Sequence, residues 1–227
     1  MFLPSASNAR RALLRAIWGG TLAVLSEVAV AGESPAGRYR IQDGPDVASE
    51  LILSADGRFQ YFLSAGSLDE EAQGAWKVEG DALKLTTIPK PVPAVFAMGP
   101  SSFVKDRSLD LHVTNPAGRG IASVHFILGF ETGHPITGYT QDYGWSMDPQ
   151  EKRTPRWIEL TVPIFDLRSN RFPIDLAKGN RLTFILTPND LGTVDFEDVQ
   201  IDIEPRRLIM HRGDALIRYE ASDESAQ

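Results

Sequence analysis

Hydrophobic and polar residues alternate along most of this chain, which is the pattern of half-buried β-strands. The first strands are predicted at residues 38–41, 50–54, 58–63, 73–78 and 82–86. Asp56-Gly57 separates the second run from the third, and Gly80-Asp81 separates the fourth from the fifth. Gly supplies the positive φ that a tight hairpin turn needs, so these runs predict a five-stranded antiparallel meander.

Prolines interrupt the alternation after the fifth run. Pro89, Pro91 and Pro93 cannot donate to a ladder, so residues 89–103 are predicted to be a linker or a segment that covers a sheet edge. Further strands are predicted at residues 109–113, 121–130, 135–140, 157–162, 181–186, 199–203 and 215–219. No window of a dozen residues after Ala31 has the 3.6-residue period of an amphipathic helix.

The predicted fold class is therefore all-β, with a small antiparallel meander or partial barrel followed by a β-sandwich-like domain. The pattern assigns residues 32–88 to the meander, 89–103 to the linker and 104–220 to the sandwich-like domain. The polar tail, residues 221–227, is predicted to be disordered. Five strands are too few to close an eight-stranded barrel, so a deep pocket requires strands from later in the chain.

The first 31 residues have the composition of an export signal. Arg10, Arg11 and Arg15 precede an apolar run over residues 16–25, and the segment ends in the small-residue motif Ala29-Val30-Ala31. A basic start, a short apolar middle and an A-x-A end predict a secretory signal peptide cleaved after that alanine. The apolar run is shorter than the roughly 20 residues that a transmembrane helix needs.

The paired arginines also resemble a twin-arginine signal, in which two arginines precede one free position and two apolar residues. Leu13 and Leu14 occupy the apolar positions, whereas Ala9 stands where Ser or Thr is usual. The general secretory route and the twin-arginine route both lead out of the cytoplasm. The sequence thus predicts a periplasmic or secreted protein and leaves the route open.

Composition and charge narrow the function classes. The chain has 227 residues, no Cys and a formal net charge of −7. The lack of Cys excludes a disulfide framework, a Cys-ligated metal and a Cys nucleophile. The acidic balance disfavours nucleic acid as a partner, because its phosphates would be repelled. No phosphate loop, zinc signature, EF-hand or Gly-x-Ser-x-Gly elbow is present, so no cofactor is predicted and a non-enzymatic role is favoured.

An aromatic-rich run is the candidate binding site. Tyr and Trp rings offer flat apolar faces with polar edges, which suit sugar rings or a protein partner, and nearby amide and carboxylate groups can fix a ligand's orientation. The predicted ligand-binding residues are Tyr139, Gln141, Asp142, Tyr143 and Trp145. The alternative is a turn with Gly144 at positive φ and Trp145 packed into the core.

Histidines suggest a second kind of site. A hairpin through residues 115–120 would pair Asp110 with His125 and place His112 on the same face. An Asp/His/His cluster of this kind can hold a divalent metal. The alternative is the solvated polar face of an ordinary ladder, and no metal site is predicted.

Acidic residues allow two further hypotheses. Carboxylates at residues 69–71 and 197–198 can do glycosidic acid–base chemistry at a suitable separation, or they can be solvated loop residues. Asn189 and Asp190 can bind a cation through oxygen ligands, or they can close an Asx-type turn.

Two segments resemble known families. Residues 37–87 contain the motifs Gly37-x-Tyr39, Leu51-x-Leu53-x-x-Asp56-Gly57-x-Phe59, Gly74-x-Trp76 and Gly80-Asp81-x-Leu83-x-Leu85. This segment resembles the small lipocalin-like, or calycin-type, modules of bacterial envelope proteins. A carrier built on such strands predicts a dry pocket lined by Tyr39, Leu53, Phe59, Tyr61 and Trp76.

The second resemblance covers residues 109–146. They contain Gly118-x-Gly120-Ile121-Ala122-x-Val124 and then the run from Gly138 to Trp145. This segment resembles the start of transthyretin-like or carboxypeptidase-regulatory β-sandwiches. The resemblance implies a non-catalytic adhesion or accessory module.

These patterns predict an exported bacterial all-β binding or structural protein that acts by non-covalent recognition in the cell envelope. One alternative is a carrier of a small apolar ligand in a lipocalin-like partial barrel, and another is a glycan-active enzyme that uses carboxylates. The predicted partner is an envelope protein or a glycan, without nucleic acid and without a membrane span once the signal is removed.

Overall fold

The structure is a computed structural model that describes residues 34–42 and 46–222. The described residues from Pro35 to Ser222 belong to one compact unit. The predicted signal peptide, residues 1–31, and residues 223–227 of the predicted tail lie outside the described residues.

Strands are the dominant regular structure of the described chain, which also has one short 3-10 helix at Pro163–Phe165. In chain order the strands are β1 (Gly37–Ile41), β2 (Val47–Leu53), β3 (Arg58–Ala65), β4 (Leu68–Glu79), β5 (Ala82–Thr87), β6 (Val95–Met98), β7 (Asp110–Thr114), β8 (His125–Phe130), β9 (Ile136–Tyr139), β10 (Trp145–Ser146), β11 (Pro155–Val162), β12 (Leu167–Arg168), β13 (Phe172–Pro173), β14 (Arg181–Thr187), β15 (Val199–Glu204), β16 (Arg207–Arg212) and β17 (Ala215–Ala221). The predicted all-β class is confirmed.

Eight of these strands form a closed antiparallel barrel in the order β1-β17-β16-β15-β5-β4-β3-β2. The first five strands are the predicted meander, and Gly57 and Gly80 take positive φ in its hairpin turns. The last three strands close the barrel, because β17 pairs with β1 and β15 pairs with β5. The C-terminal strands thus complete the barrel, which the five strands of the meander cannot close alone.

This closure changes the predicted domain organisation. Residues 199–220, which the sequence pattern assigns to the sandwich-like domain, belong to the barrel, and the residues between β5 and β15 form an insertion in it. Ala221, expected in the tail, pairs with Tyr39 at the closing seam. A period of two identifies a strand but carries no information about its partner, so the sequence pattern does not reveal the insertion.

The insertion is a two-sheet sandwich. One sheet, here called the β7 sheet, has the order β10-β7-β14-β6, and β7 runs parallel to β14. The other, the β8 sheet, has the order β12-β11-β8-β9, and β13 also pairs with β11. Alternate side chains of both sheets share one core, which includes Leu111, Val113, Phe126, Leu128, Ile158, Leu160, Leu182 and Phe184.

Three local predictions need refinement. The predicted linker contains β6, which pairs with β14 and is itself an edge strand of the β7 sheet. The long strand predicted at residues 121–130 begins only at His125, because Ser123 takes a positive φ of 60° that breaks the extended chain. Strand β16 was not predicted, because its two inward residues, Leu208 and Met210, lie among basic residues.

The barrel interior is filled by its own side chains and by one ring from the insertion. Phe196, in the segment that returns to β15, lies 6.0 Å from Phe59 and 5.0 Å from Tyr61, between ring centroids. The Tyr219 hydroxyl shares a 2.8 Å hydrogen bond with Ser49 inside the barrel. Burial raises the pKa values of Tyr61 and Tyr219, so both phenols stay neutral at physiological pH.

Candidate functional site

The predicted binding residues lie in and beside a tight turn that joins β9 to β10, with Tyr139 at the end of β9 and Trp145 at the start of β10. Gln141 and Gly144 exchange backbone hydrogen bonds of 3.1 and 2.9 Å, and Gly144 has a φ of 95°. Asp142 accepts a 2.9 Å hydrogen bond from the backbone N–H of Tyr143. This turn, residues 141–144, is therefore closed by its own hydrogen bonds.

Two glycines clamp the turn against the rest of the insertion. A Cβ atom on Gly120 would lie 1.7 Å from the carbonyl oxygen of Asp142. A Cβ atom on Gly144 would lie 2.5 Å from the carbonyl oxygen of Leu111 and 3.0 Å from the His112 ring. No side chain fits at either position, so backbone packs directly on backbone and the turn is held rigidly.

The three aromatic residues of the site have different surroundings. Tyr139 is 54% exposed and Tyr143 is 76% exposed. Trp145 is half-buried and packs against the core residue Phe126, with 4.7 Å between ring centroids. The structure therefore brings two aromatic rings to the surface and uses the third for packing, as the alternative interpretation of Trp145 proposes. Of the polar residues, Asp142 is exposed and Gln141 is half-buried.

A histidine extends the exposed aromatic surface. His125 on β8 is the direct cross-strand partner of Tyr139 on β9. Their ring centroids are 5.9 Å apart and their planes are tilted by 38°. Residues directly opposite each other in an antiparallel pair face the same side, so the two rings form one surface.

A buried carboxylate supports the strand beneath the turn. Asp110 accepts hydrogen bonds of 2.7 Å from Ser146, 2.7 Å from Arg181 and 3.0 Å from the His112 ring. Burial opposes ionisation of Asp110, but these hydrogen bonds outweigh it and hold its pKa below the ordinary value. Because the His112 ring lies 3.0 Å from the position that a Cβ atom of Gly144 would occupy, this cluster packs closely against the turn.

The hypothesis of an Asp/His/His metal cluster is not supported by the structure. The chain pairs Thr114 with Gly120 and then diverges, so β8 lies beside β9 and β11 and is not beside β7. His125 therefore lies in the other sheet from Asp110 and His112. Within residues 34–42 and 46–222, no group of three His, Asp or Glu side chains is arranged to hold a metal ion.

Two of the five carboxylates considered for catalysis, Glu70 and Glu197, are held in close ion pairs. Glu70 makes a two-pronged ion pair with Arg212, with one N–O distance of 2.8 Å, and Glu197 pairs with Lys90. Asp198 accepts a 3.1 Å hydrogen bond from Thr86. These contacts give Glu70, Glu197 and Asp198 structural roles, because each joins segments that are more than 100 positions apart in the chain.

The loop considered for cation binding ties the insertion together. The Asn189 side-chain amide donates to the carbonyl of Pro93 at 2.8 Å. The Asp190 carboxylate accepts from the backbone N–H of Val92 at 2.7 Å. Both side chains thus anchor the outgoing segment of the insertion to its returning segment.

Two clefts lie where the insertion meets the barrel. One of about 460 Å³ is bordered by outward residues of β2 to β4, including Phe62, and by Pro89 and Pro91. The other, of about 410 Å³, is bordered by the Glu70–Arg212 pair and by Ile164 of the 3-10 helix.

Four of the five residues expected to line a carrier pocket are packed in the barrel core, while Trp76 is half-buried and donates to the carbonyl of Ser54 at 2.9 Å.

The structure adds a surface that the sequence analysis did not single out. The outward side of the β8 sheet carries Trp157 and Glu159 on β11, next to Arg168 and Arg171. The sequence does indicate that β11 has an outward side. Trp157, Glu159 and Thr161 alternate strictly with the core residues Ile158 and Leu160. The sequence does not show which strands lie on either side.

No protein family, curated protein or solved structure matches this chain. The resemblances of residues 37–87 and 109–146 therefore stay predictions. Among the residues that the structure describes, no helix has the length and apolar character needed to cross a membrane.

Proposed function

We propose that this protein is an exported, non-enzymatic recognition module that binds a partner in the bacterial cell envelope through its aromatic turn, residues 139–145. The observation that carries the proposal is the exposure of Tyr139, the last residue of β9, and of Tyr143, which lies in the following turn whose backbone is clamped by Gly120 and Gly144. Exposed aromatic rings on a rigid frame lose little conformational entropy on binding, so they are effective contact residues.

The composition of residues 1–31 supports export. A mature chain that begins at Gly32 is the expected product of cleavage after Ala31. Mass spectrometry of the protein recovered from the envelope of its host measures this directly. A chain that retains residues 1–31 and stays in the cytoplasm contradicts the envelope location.

The binding role is tested with two single variants, Tyr139→Ala and Tyr143→Ala. The measurement is the fraction of purified protein that sediments with bacterial envelopes as envelope concentration is raised. Each substitution is expected to weaken binding about tenfold or more, as contact aromatics do, while the melting temperature stays close to wild type.

Phe103→Ala is the matched control, because Phe103 is 72% exposed and lies outside the turn. It is expected to bind like wild type. Envelopes treated with protease or with glycan-cleaving enzymes identify the class of partner. Unchanged binding in both tyrosine variants, or equal losses in Phe103→Ala, contradicts the proposal.

A further inference from the structure

The outward side of the β8 sheet continues from the aromatic turn across four strands. Tyr139, His125, Thr161 and Arg168 are successive register partners on β9, β8, β11 and β12. Partners in register share one face, and three strand spacings place the ends of this row about 14 Å apart. We call this side the outer face, and it also carries Thr137, Ile127, Glu159 and Trp157.

One end of the outer face is built to present positive charge. The Glu159 carboxylate, which is nearly buried, pairs with Arg168 and, at 3.3 Å, with Arg171. The Arg171 guanidinium also lies 4.0 Å from the centre of the Trp157 ring. The indole in turn occupies the space where a Cβ atom of Gly129 would lie. The guanidinium of Arg171 therefore lies over an aromatic ring that is itself fixed by packing.

The charges on this end do not balance. Two guanidinium groups share one carboxylate, which leaves a local excess of positive charge on a chain whose formal net charge is −7. Each guanidinium carries five N–H donors and gives one hydrogen bond to Glu159, so donors remain for a ligand. Charge complementarity therefore favours an anionic ligand, and carboxylates fit the planar fork of Arg.

The dimensions of the outer face favour a narrow ligand over a protein surface. The six residues of β8 span about 20 Å, and a width of about 14 Å gives a projected area on the order of 300 Å². A stable protein–protein interface buries about 800 Å² on each partner. A chain-like ligand that crosses the strands fits this face better than a folded protein does.

We propose that the outer face binds an acidic glycan chain. A sugar ring lies on Tyr139 and His125, and a carboxylate further along the chain pairs with Arg168 and Arg171. This inference rests on the proposed recognition function, because both use Tyr139. It adds the class of ligand and the residues that select for its charge.

The test uses isothermal titration calorimetry with the folded full chain and two probes of equal length. The probes are an oligogalacturonate, which carries carboxylates, and an uncharged galactose oligosaccharide. Binding of the acidic probe is expected to be the tighter, and to weaken between about 0.01 and 0.15 M ionic strength because salt screens exposed charges.

Charge variants of opposite sign make the test specific. Arg168→Gln and Arg171→Gln, each leaving the other arginine on Glu159, are expected to weaken binding of the acidic probe about tenfold. Glu159→Gln removes the negative charge between the two arginines and is expected to strengthen binding of the acidic probe. Arg218→Gln, which removes an exposed arginine from the barrel, is the matched control and is expected to change nothing.

The outcomes separate this inference from the proposed function. Equal affinity for the two probes, or Arg168→Gln and Arg171→Gln variants that bind like wild type, overturns the acidic-glycan assignment. The recognition function survives those results if Tyr139→Ala still loses envelope binding. Envelope binding that depends on Tyr139 and disappears after protease treatment identifies a protein partner and likewise overturns the glycan assignment.

Discussion

Trp145 and Tyr143 are two positions apart in the chain and have opposite surroundings. Trp145 packs on Phe126 in the sandwich core, while the Tyr143 ring is mostly in solvent. Trp145→Ala is therefore expected to lower the free energy of unfolding by about 3 kcal/mol, and Tyr143→Ala by less than about 0.5 kcal/mol. Urea denaturation measures both values. Similar losses in the two variants contradict this division of roles.

The Asp110 cluster makes stability depend on pH in a defined direction. The folded-state pKa of Asp110 is below the ordinary value near 3.9, so its ionised form stabilises the fold above that pH. This contribution is lost as pH falls through the lower folded-state pKa. Asp110→Asn is expected to be less stable than wild type at pH 7, with the difference shrinking toward pH 2.

Thermal unfolding across this pH range tests the prediction. The half-buried carboxyl of Glu151, whose pKa Arg153 lowers to about 2, titrates in both proteins and cancels in the comparison. A stability difference that does not change with pH contradicts a role for the Asp110 charge.

The sequence predicted some of the residue-level features of the site and missed others. The positive φ of Gly144 and the packing of Trp145 were anticipated as the alternative to an exposed aromatic site, because both follow from intrinsic residue preferences. Of the partners of Asp110, His112 was expected on the same face, but Ser146 and Arg181 were not anticipated. Arg181 is 71 positions away and reaches Asp110 across the parallel pair β7–β14.

At the level of elements, the returning segment of the insertion ties the sandwich to the barrel. Thr87 at the end of β5 donates to the carbonyl of Val194 at 2.8 Å and accepts from the N–H of Phe196 at 2.9 Å. The Phe196 ring then enters the barrel core. The fold of the barrel therefore includes a residue that the barrel strands do not supply.

Phe196→Ala is expected to destabilise the barrel by about 3 to 5 kcal/mol, because it leaves a cavity beside Phe59 and Tyr61. Phe62→Ala is the control, because Phe62 lies on the outer surface of the same barrel and is partly exposed. The midpoint of chemical denaturation gives both values. A loss in Phe196→Ala no larger than in Phe62→Ala contradicts the role of Phe196 as a core residue.

On the scale of the whole molecule, the barrel depends on both ends of the chain. A chain that stops at residue 198 lacks β15, β16 and β17, so β1 and β5 each lose a partner strand. Open edges and an uncovered core are expected to abolish the cooperative unfolding transition. Far-UV circular dichroism on heating measures this, with residues 34–222 as the control. A cooperative transition in the shorter chain contradicts the prediction.

The sequence by itself determined the class of the fold, the meander of β1 to β5 and the position of the aromatic turn. These features depend on local physics, namely the period of two, the φ of glycine and the missing donor of proline. Tertiary structure alone decided that the last three strands close the barrel, that His125 joins Tyr139, and that Arg168 and Arg171 share Glu159. Strand pairing between distant segments is set by the mutual fit of whole cores, which alternation within a single strand does not encode.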